Sequence, residues 1–343
     1  MGRDGLSNRF RSFAIHECRG SSRLYEYLAM RIADDDEMLE LAAHAKEGQP
    51  VPNLFFGAVH YLLQQGTEHE LMTYYETLTD RPGEIGEPTY AAFQSFCRLH
   101  NDRMIAILKE RYVQTNEVRR CAYLYPSFCF IYEKVRRPLA LLEIGTSAGL
   151  QLLWDRFSYR YNSGELLGDP SAAVEIHAEL RGDRMPPFMK NSPPVSFRCG
   201  IDLHVNDLTS HDDYLWLKSL IWPEHRDRAA LFEQAALFFQ EHPAALIEGD
   251  GSASLASIAA QIPANSALCV FHTHVANQLS PSAKESLIDA IDAIGRTRDV
   301  FHLYNNMHDT NILHLDYMLS GVSGTEKLAV TDGHGRWFQW EAK

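Results

Sequence analysis

Residues 141–150 read Leu141-Leu142-Glu143-Ile144-Gly145-Thr146-Ser147-Ala148-Gly149-Leu150, an apolar run that ends in an acid and then passes through two glycines. The apolar part predicts a buried β-strand, and Gly145 gives the backbone the freedom to turn tightly into a helix. Gly149 lets the helix approach a ligand closely, and Glu143 can accept a hydrogen bond from a ligand at the end of the strand. A strand-to-helix turn that needs two glycines only for packing has the same composition. The rest of the chain must therefore distinguish a ligand-binding loop from a structural turn.

The spacing of the glycines separates three interpretations of this loop. A dinucleotide-binding fingerprint requires glycine at positions 147 and 150, where this chain has Ser147 and Leu150. A phosphate-binding P-loop requires Gly-Lys followed by Ser or Thr, and the segment lacks it. Residues 145–149 do match the Gly-x-Ser-x-Gly of α/β-hydrolases, with Ser147 as the nucleophile. That motif normally follows several strands, whereas the residues before Leu139 are predicted to be helical, so the hydrolase stays an alternative.

Short apolar runs alternate with helical stretches on the C-terminal side of the chain. They cover residues 139–144, 197–203, 245–248, 267–271 and 299–304. This alternation predicts a mostly parallel, Rossmann-like α/β sheet with helices on both faces. Residues 327–331 and 336–341 flank a glycine-containing turn and predict a C-terminal antiparallel hairpin. The irregular segment 155–196 is expected to be an insertion between the first two strands.

The N-terminal part of the chain has a different pattern of apolar residues. Its apolar residues recur at helical spacing as far as about residue 137, which predicts an all-helical portion. We therefore expect a helical domain at residues 1–137 and an α/β domain at residues 138–343. The helical domain would act as a lid that selects the substrate.

Acidic residues follow three of the predicted strands. After Glu143, the second strand ends in Asp202, whose carboxylate can bind both hydroxyls of a ribose, and Asp250 after the third can accept from the amine of adenine. A turn or helix-capping role explains each aspartate singly. Class I S-adenosylmethionine (SAM)-dependent methyltransferases hold their cofactor with three such strand ends, so we expect SAM to contact Glu143, Gly145, Thr146, Ser147, Gly149, Asp202, Leu203, Gly249 and Asp250.

Histidines and amides suggest a substrate site above the cofactor. His272 and His274 follow the fourth strand, where a histidine can act as the general base for a methyl acceptor. The predicted helices place Asn53 with His60, and Asn116 with Arg120, on shared faces that can line a cleft. Helix caps and buried hydrogen bonds are the alternative for the two asparagines, and an ion pair with Glu117 is the alternative for Arg120.

Composition excludes several classes of partner. The chain has 343 residues and a formal net charge of -13, and its 32 Lys and Arg form no basic stripe that would bind nucleic acid. No apolar run approaches the roughly 18 residues that cross a membrane. The six cysteines are scattered without metal-ligand spacing, and the histidines match no metal motif. We expect a cytoplasmic protein without a metal site, and the sequence leaves its oligomeric state open.

Several segments together resemble a known bacterial family. They are Pro52-Asn53-Leu54 to Ala58-Val59-His60, Gln114 to Val118 with Arg120, Leu142 to Leu150, Gly200 to Leu203, and Ile221-Trp222-Pro223 with Asp227-Arg228. They are similar to the uncharacterised domain of unknown function 2332 (DUF2332), over nearly the whole chain. The resemblance implies a helical N-terminal portion on a methyltransferase-like sheet and no established reaction.

The first functional hypothesis is therefore methyl transfer from SAM to an unidentified small molecule. A hydrolase with Ser147 as the nucleophile is the second. The third is a non-catalytic SAM-binding protein that has kept the fold and lost turnover.

Overall fold

The computed structural model describes residues 2–343 and shows two units. The helical unit comprises the chain up to Thr115 together with Thr209–Ala230, and the sheet unit comprises Asn116–Leu208 together with Leu231–Lys343. The helices are α1 (Arg3–Phe13), α2 (Arg23–Ile32), α3 (Asp36–Ala42), α4 (Val51–Gln64), α5 (Glu87–Leu99), α6 (Asn101–Glu110), α7 (Cys121–Val135), α8 (His211–Ser219), α9 (Arg226–Glu241), α10 (Gly251–Ala259) and α11 (Pro281–Gly295). Short π and 3-10 segments are Ala14–Cys18, Glu70–Tyr74, Val118–Arg120, Leu150–Arg156 and Val275–Asn277.

The helical unit is held together by an aromatic core. The rings of Phe10 and Phe55 meet edge to face at 6.0 Å, and Tyr25 stacks on Phe56 at 4.3 Å. All four side chains are completely or almost completely buried, and each ring contributes about 2–3 kcal/mol through removal from water. Side-chain caps define helix starts: Ser22 accepts a hydrogen bond from the backbone of α2, and Asp35 from that of α3.

The sheet unit contains one mixed sheet of 11 strands, so the protein is of the α/β class. The strands are β1 (Leu139–Ile144), β2 (Ser158–Tyr161), β3 (Leu167–Gly168), β4 (Glu175–Arg181), β5 (Val195–Asp202), β6 (Ala245–Glu248), β7 (Ala267–His272), β8 (Val300–Asn305), β9 (Ile312–Leu319), β10 (Val322–Thr331) and β11 (Trp337–Trp340). Their order across the sheet is β3-β2-β4-β11-β10-β9-β8-β7-β1-β5-β6.

The five predicted parallel strands are confirmed as β1, β5, β6, β7 and β8. They pair in parallel in the order β6-β5-β1-β7-β8, and the predicted C-terminal hairpin is the antiparallel pair of β10 and β11. The chain runs outward from β1 to β6 and then returns to the other side of β1 with β7. Ligands of open α/β sheets bind at such a reversal, outside the carboxyl ends of the strands.

The segment 155–196 is more regular than the sequence analysis expected. It contributes β2, β3 and β4, which extend the sheet beyond β11. Along β4, Ile176, Ala178 and Leu180 are buried while the residues between them are exposed or half-buried, as in a strand with one covered face. β9 was also not predicted, and it pairs antiparallel between β8 and β10.

Helix α7 explains why the unit boundary lies at residue 115 rather than at the expected 137. Its Phe128 stacks on Trp154 at 4.5 Å and meets Phe271 of β7 edge to face at 5.3 Å. Because these rings are fully buried, α7 belongs to the core of the sheet unit.

Candidate functional site

The loop after β1 is tightly packed at its two glycines. Gly145 has φ +69°, and a Cβ atom there would lie 2.2 Å from Cγ2 of Val275. Gly149 has φ +78°, and its Cβ would lie 2.8 Å from Cδ2 of Leu246. The chain continues as the 3-10 segment Leu150–Arg156, whereas the sequence predicts an α-helix after the turn through the two glycines. Both glycines are therefore required by the backbone angle and by the space that neighbouring side chains occupy.

Ser147 lies at the tip of this loop with φ +52°, a conformation that non-glycine residues seldom adopt. Its Oγ accepts hydrogen bonds from the side-chain amides of Asn116 and Asn206, the latter at 3.0 Å. Its backbone N–H donates to Oδ2 of Asp202 at 2.7 Å. The structure thus joins the predicted residues Asn116, Ser147 and Asp202, and adds Asn206.

Two carboxyl groups follow the adjacent strands β1 and β5. Glu143 is buried, and Thr146 Oγ1 donates to its Oε2 at 2.6 Å. Burial raises the pKa of Glu143 to about 8, against the opposing effect of the Thr146 hydrogen bond. Burial also raises the pKa of Asp202, although the backbone N–H groups of His204 and Ser147 favour its charged form.

Gly200 permits the close approach of the β1 loop and was missed by the sequence analysis. A Cβ atom at Gly200 would lie 2.4 Å from Oγ1 of Thr146. The residue pairs directly with Glu143 in the parallel register of β1 and β5. Only the strand pairing reveals this requirement, because Gly200 is remote from residue 146 in sequence.

The remaining predicted cofactor residues lie after β5 and β6. Leu203 is 76% exposed, and the N–H of Gly249 donates to the backbone oxygen of Asp202 at 2.8 Å. Asp250 caps α10 by accepting from the N–H of Ala253 at 3.0 Å, which is the capping role that the sequence analysis gave as the alternative. Its carboxylate therefore has a structural partner in the described protein.

Arg120 lies in a polar cluster at the carboxyl end of β7. It is only 7% exposed, and its Nε donates to the backbone oxygen of Gly333 at 2.9 Å. Nη1 donates to Oγ1 of Thr273 at 3.3 Å, and Thr273 Oγ1 in turn donates to Oε1 of Gln151 at 3.0 Å. The acceptors around the guanidinium are thus neutral oxygens of the β7 and β10–β11 turns.

His274 lies in the same cluster, just past the end of β7, with φ +62°. Its N–H donates to Oδ1 of Asn305 at 2.6 Å, and its Nδ1 lies 3.0 Å from Nδ2 of Asn306. An amide nitrogen can only donate, so Nδ1 is the acceptor and Nε2 carries the hydrogen. Burial and the positive charge of Arg120 lower the pKa of His274 to about 3. The imidazole is therefore neutral at physiological pH.

His272, the other predicted catalytic histidine, lies in a different environment. It is fully buried, and its Nε2 lies 3.2 Å from Nε2 of His302 on the neighbouring strand. Burial lowers the pKa of His272 to about 4. His302 lines a cavity of about 310 Å³ together with Tyr304, His308 and Asp316. The two histidines, two residues apart, thus have separate surroundings.

Asn53 and His60 both lie in α4 of the helical unit. His60 is fully buried and satisfied at both nitrogens, with Nδ1 3.0 Å from the backbone oxygen of Ser219 and Nε2 2.9 Å from Oγ1 of Thr77. Burial lowers the pKa of His60 to about 4. These hydrogen bonds give His60 a structural role within the helical unit. Asn53 Oδ1 is buried without a hydrogen-bond partner in the described structure.

Among residues 2–343, no helix is long and apolar enough to cross a membrane, and no three His, Cys, Asp or Glu side chains are grouped to hold a metal ion. All six cysteines are buried and free.

No curated protein and no solved structure matches the chain significantly. One protein family, described as an uncharacterized protein conserved in bacteria (DUF2332), matches residues 7–340, and the chain therefore belongs to this family.

Proposed function

We propose that this protein transfers a methyl group from SAM to a small molecule. The observation that carries the proposal is the position of the 145–149 loop at the sheet reversal between β1 and β7, with Glu143 and Asp202 at the ends of β1 and β5. Ligand-binding loops of doubly wound sheets occupy this position. Carboxyl groups there suit the hydroxyl and amino groups of an adenosine and a methionine moiety.

The residues at the ends of β1, β5 and β6 fit such a ligand in composition. Asp202 would accept hydrogen bonds from the ribose hydroxyls, Glu143 from the aminoacyl part, and Asp250 from the adenine amine. Gly145 and Gly149 would let the backbone approach. Bound SAM supplies a methyl group that is already activated by its positively charged sulfur. Transfer then depends chiefly on the alignment of the methyl acceptor with that methyl group. His274, which is neutral because its pKa is low, can form a hydrogen bond to the methyl acceptor.

Isothermal titration calorimetry of the full-length chain with SAM and S-adenosylhomocysteine tests this proposal. We expect micromolar binding, and a loss of about tenfold or more in Asp202→Asn, because a hydrogen bond to a charged group contributes about 1.5–3 kcal/mol. Asp289→Asn on α11 is the matched control, since Asp289 is exposed, and it should leave the affinity unchanged. Absence of binding at millimolar ligand would exclude the proposal.

SAM binding alone does not distinguish an enzyme from a non-catalytic SAM-binding protein. A screen of small metabolites for production of S-adenosylhomocysteine distinguishes these two cases. An acceptor found in the screen establishes the transfer, whereas tight SAM binding without any acceptor favours the binding protein.

Ester hydrolysis is the second candidate function, and the backbone of Ser147 favours it. A nucleophile elbow holds its serine in a strained turn after a strand, and Ser147 has φ +52° directly after β1. The hydrogen-bond partners of its Oγ are two amide donors, however, and a nucleophile needs a base at that position.

Because amide donors do not take up a proton, we expect Ser147 to be unreactive towards a serine-directed phosphonate. Intact-mass spectrometry after incubation would show the unmodified chain, and Ser147→Ala would behave in the same way. A phosphonate adduct on the wild-type chain that disappears in Ser147→Ala would instead establish the hydrolase.

A further inference from the structure

The guanidinium of Arg120 is buried without a carboxylate partner. Its hydrogen bonds in the described structure go to the backbone oxygens of Gly333 and Thr273 and to the Thr273 hydroxyl. A buried charge is costly unless an opposite charge compensates it. Arg120 therefore retains an electrostatic preference for an anion.

No nearby acidic group forms an ion pair with Arg120 in the described structure. Asp332 binds the side chain of Arg336 through both oxygens, at 2.8 and 3.0 Å, and Glu117 lies 3.2 Å from Nδ1 of His334. Glu143 is within electrostatic range of Arg120, but burial raises its pKa to about 8, so it is mostly neutral at pH 7.

Three neighbouring side chains have buried donor atoms without an acceptor. They are Nε2 of His274, Nδ2 of Asn305 and the hydroxyl of Tyr123. His274 and Asn305 are joined by the hydrogen bond from the His274 backbone, and the Asn305 side chain lies close enough to the Tyr123 hydroxyl to lower its pKa, against the larger effect of burial. The charge of Arg120 lowers the pKa of both His274 and Tyr123. Tyr123 and Asn305 are each fully buried. Unsatisfied buried donors are rare in proteins, and several beside an unpaired cation indicate a ligand rich in acceptors.

We propose that Arg120, Tyr123, His274 and Asn305 form a subsite for an oxyanion, a carboxylate or a phosphate group carried by a small molecule. A planar guanidinium and neutral donors are the groups that bind such oxyanions. The subsite deepens the proposed function, because it predicts that the methyl acceptor is an anionic metabolite. The carboxylate of SAM itself is the other source of the same chemistry.

Calorimetry and thermal unfolding of the full-length chain test the subsite with simple probes. These are inorganic phosphate, a panel of mono- and dicarboxylic acids, S-adenosylhomocysteine, and 5′-methylthioadenosine, which lacks the carboxylate. We expect at least one anion to bind, and Arg120→Met to weaken that binding about tenfold or more. Arg296→Met is the matched control, because Arg296 is exposed at the C-terminal end of α11.

The source of the oxyanion follows from the pattern of losses. If Arg120→Met weakens S-adenosylhomocysteine but leaves 5′-methylthioadenosine unchanged, the subsite holds the carboxylate of the cofactor. If it weakens a free acid or phosphate and neither adenosine ligand, the subsite belongs to the acceptor. Tyr123→Phe removes one donor while keeping the ring, so it provides a second variant should Arg120→Met fail to fold.

The subsite and the methyltransferase can fail separately. Arg120-dependent binding of an anion without any binding of S-adenosylhomocysteine would keep the subsite and exclude the methyltransferase. The subsite is excluded if the wild-type chain binds no anion of the panel and neither Arg120→Met nor Tyr123→Phe changes the affinity for S-adenosylhomocysteine.

Discussion

Replacing Gly145 with alanine should lower the free energy of unfolding of the sheet unit by about 2–4 kcal/mol. The left-handed backbone at φ +69° costs an alanine about 1 kcal/mol. The new methyl group would also lie 2.2 Å from Cγ2 of Val275, so the 275–277 turn must move, and overpacking of this kind costs about 1–3 kcal/mol. Urea denaturation followed by circular dichroism measures the loss.

Gly321 provides the control, because it has a similar φ of +78° but no atom within 4 Å of a Cβ position. Gly321→Ala should therefore cost only the backbone contribution of about 1 kcal/mol. In a Val275→Ala background, the cost of Gly145→Ala should fall to a similar value, since the clashing methyl groups are gone. Equal losses for Gly145→Ala and Gly321→Ala in the wild-type background would show that the contact with Val275 is unimportant.

The central strands were predictable because each is a contiguous apolar run. β1 and β7 are buried along their whole length, so their sequences are short apolar runs rather than the alternating apolar and polar residues of a strand with one exposed face. The missed strands β2, β4 and β9 are interrupted by polar residues, and β4 pairs with β11, which lies some 160 residues away in sequence. Such pairing depends on tertiary structure that a local pattern does not contain.

In the candidate site, too, some residues belong to a local sequence pattern and others are brought together only by the tertiary structure. The glycines and acids of the β1 and β5 strand ends form a local pattern, and the structure places Ser147 against Asp202. Gly200 and Asn206 matter only because their strand and loop meet the β1 loop. Asn305 was open to prediction by the rule that identified Asp202, since it is a polar residue at the end of a parallel strand.

His272 and His274 show why a sequence pattern does not locate the end of a strand. In a regular strand, residues 272 and 274 would face the same side of the sheet. The strand ends at His272, and the left-handed backbone of His274 turns that side chain into the polar cluster. No residue type in His272-Thr273-His274 signals where the strand stops.

Replacing Glu143 with glutamine should stabilise the protein at pH 9 by about 2–4 kcal/mol and have little effect at pH 4.5. The pKa of Glu143 is raised by burial to about 8, from an ordinary value of 4.5. Between these two values the folded state holds a proton that the unfolded state has released, so the stability of the wild-type chain falls as pH rises. Glutamine keeps an oxygen that can accept from Thr146 but carries no charge, so it avoids this loss. Urea denaturation at pH 4.5, 6, 7.5 and 9 measures the difference.

Glu285→Gln is the matched control, because Glu285 is exposed on α11 and its replacement should not change the stability with pH. The difference between Glu143→Gln and wild type should grow from about pH 4.5 to about pH 8 and level off above it. A constant difference across this range would show that Glu143 titrates normally in the folded protein. It would then carry a negative charge at pH 7 that compensates Arg120, and Arg120 would have less electrostatic preference for an external oxyanion.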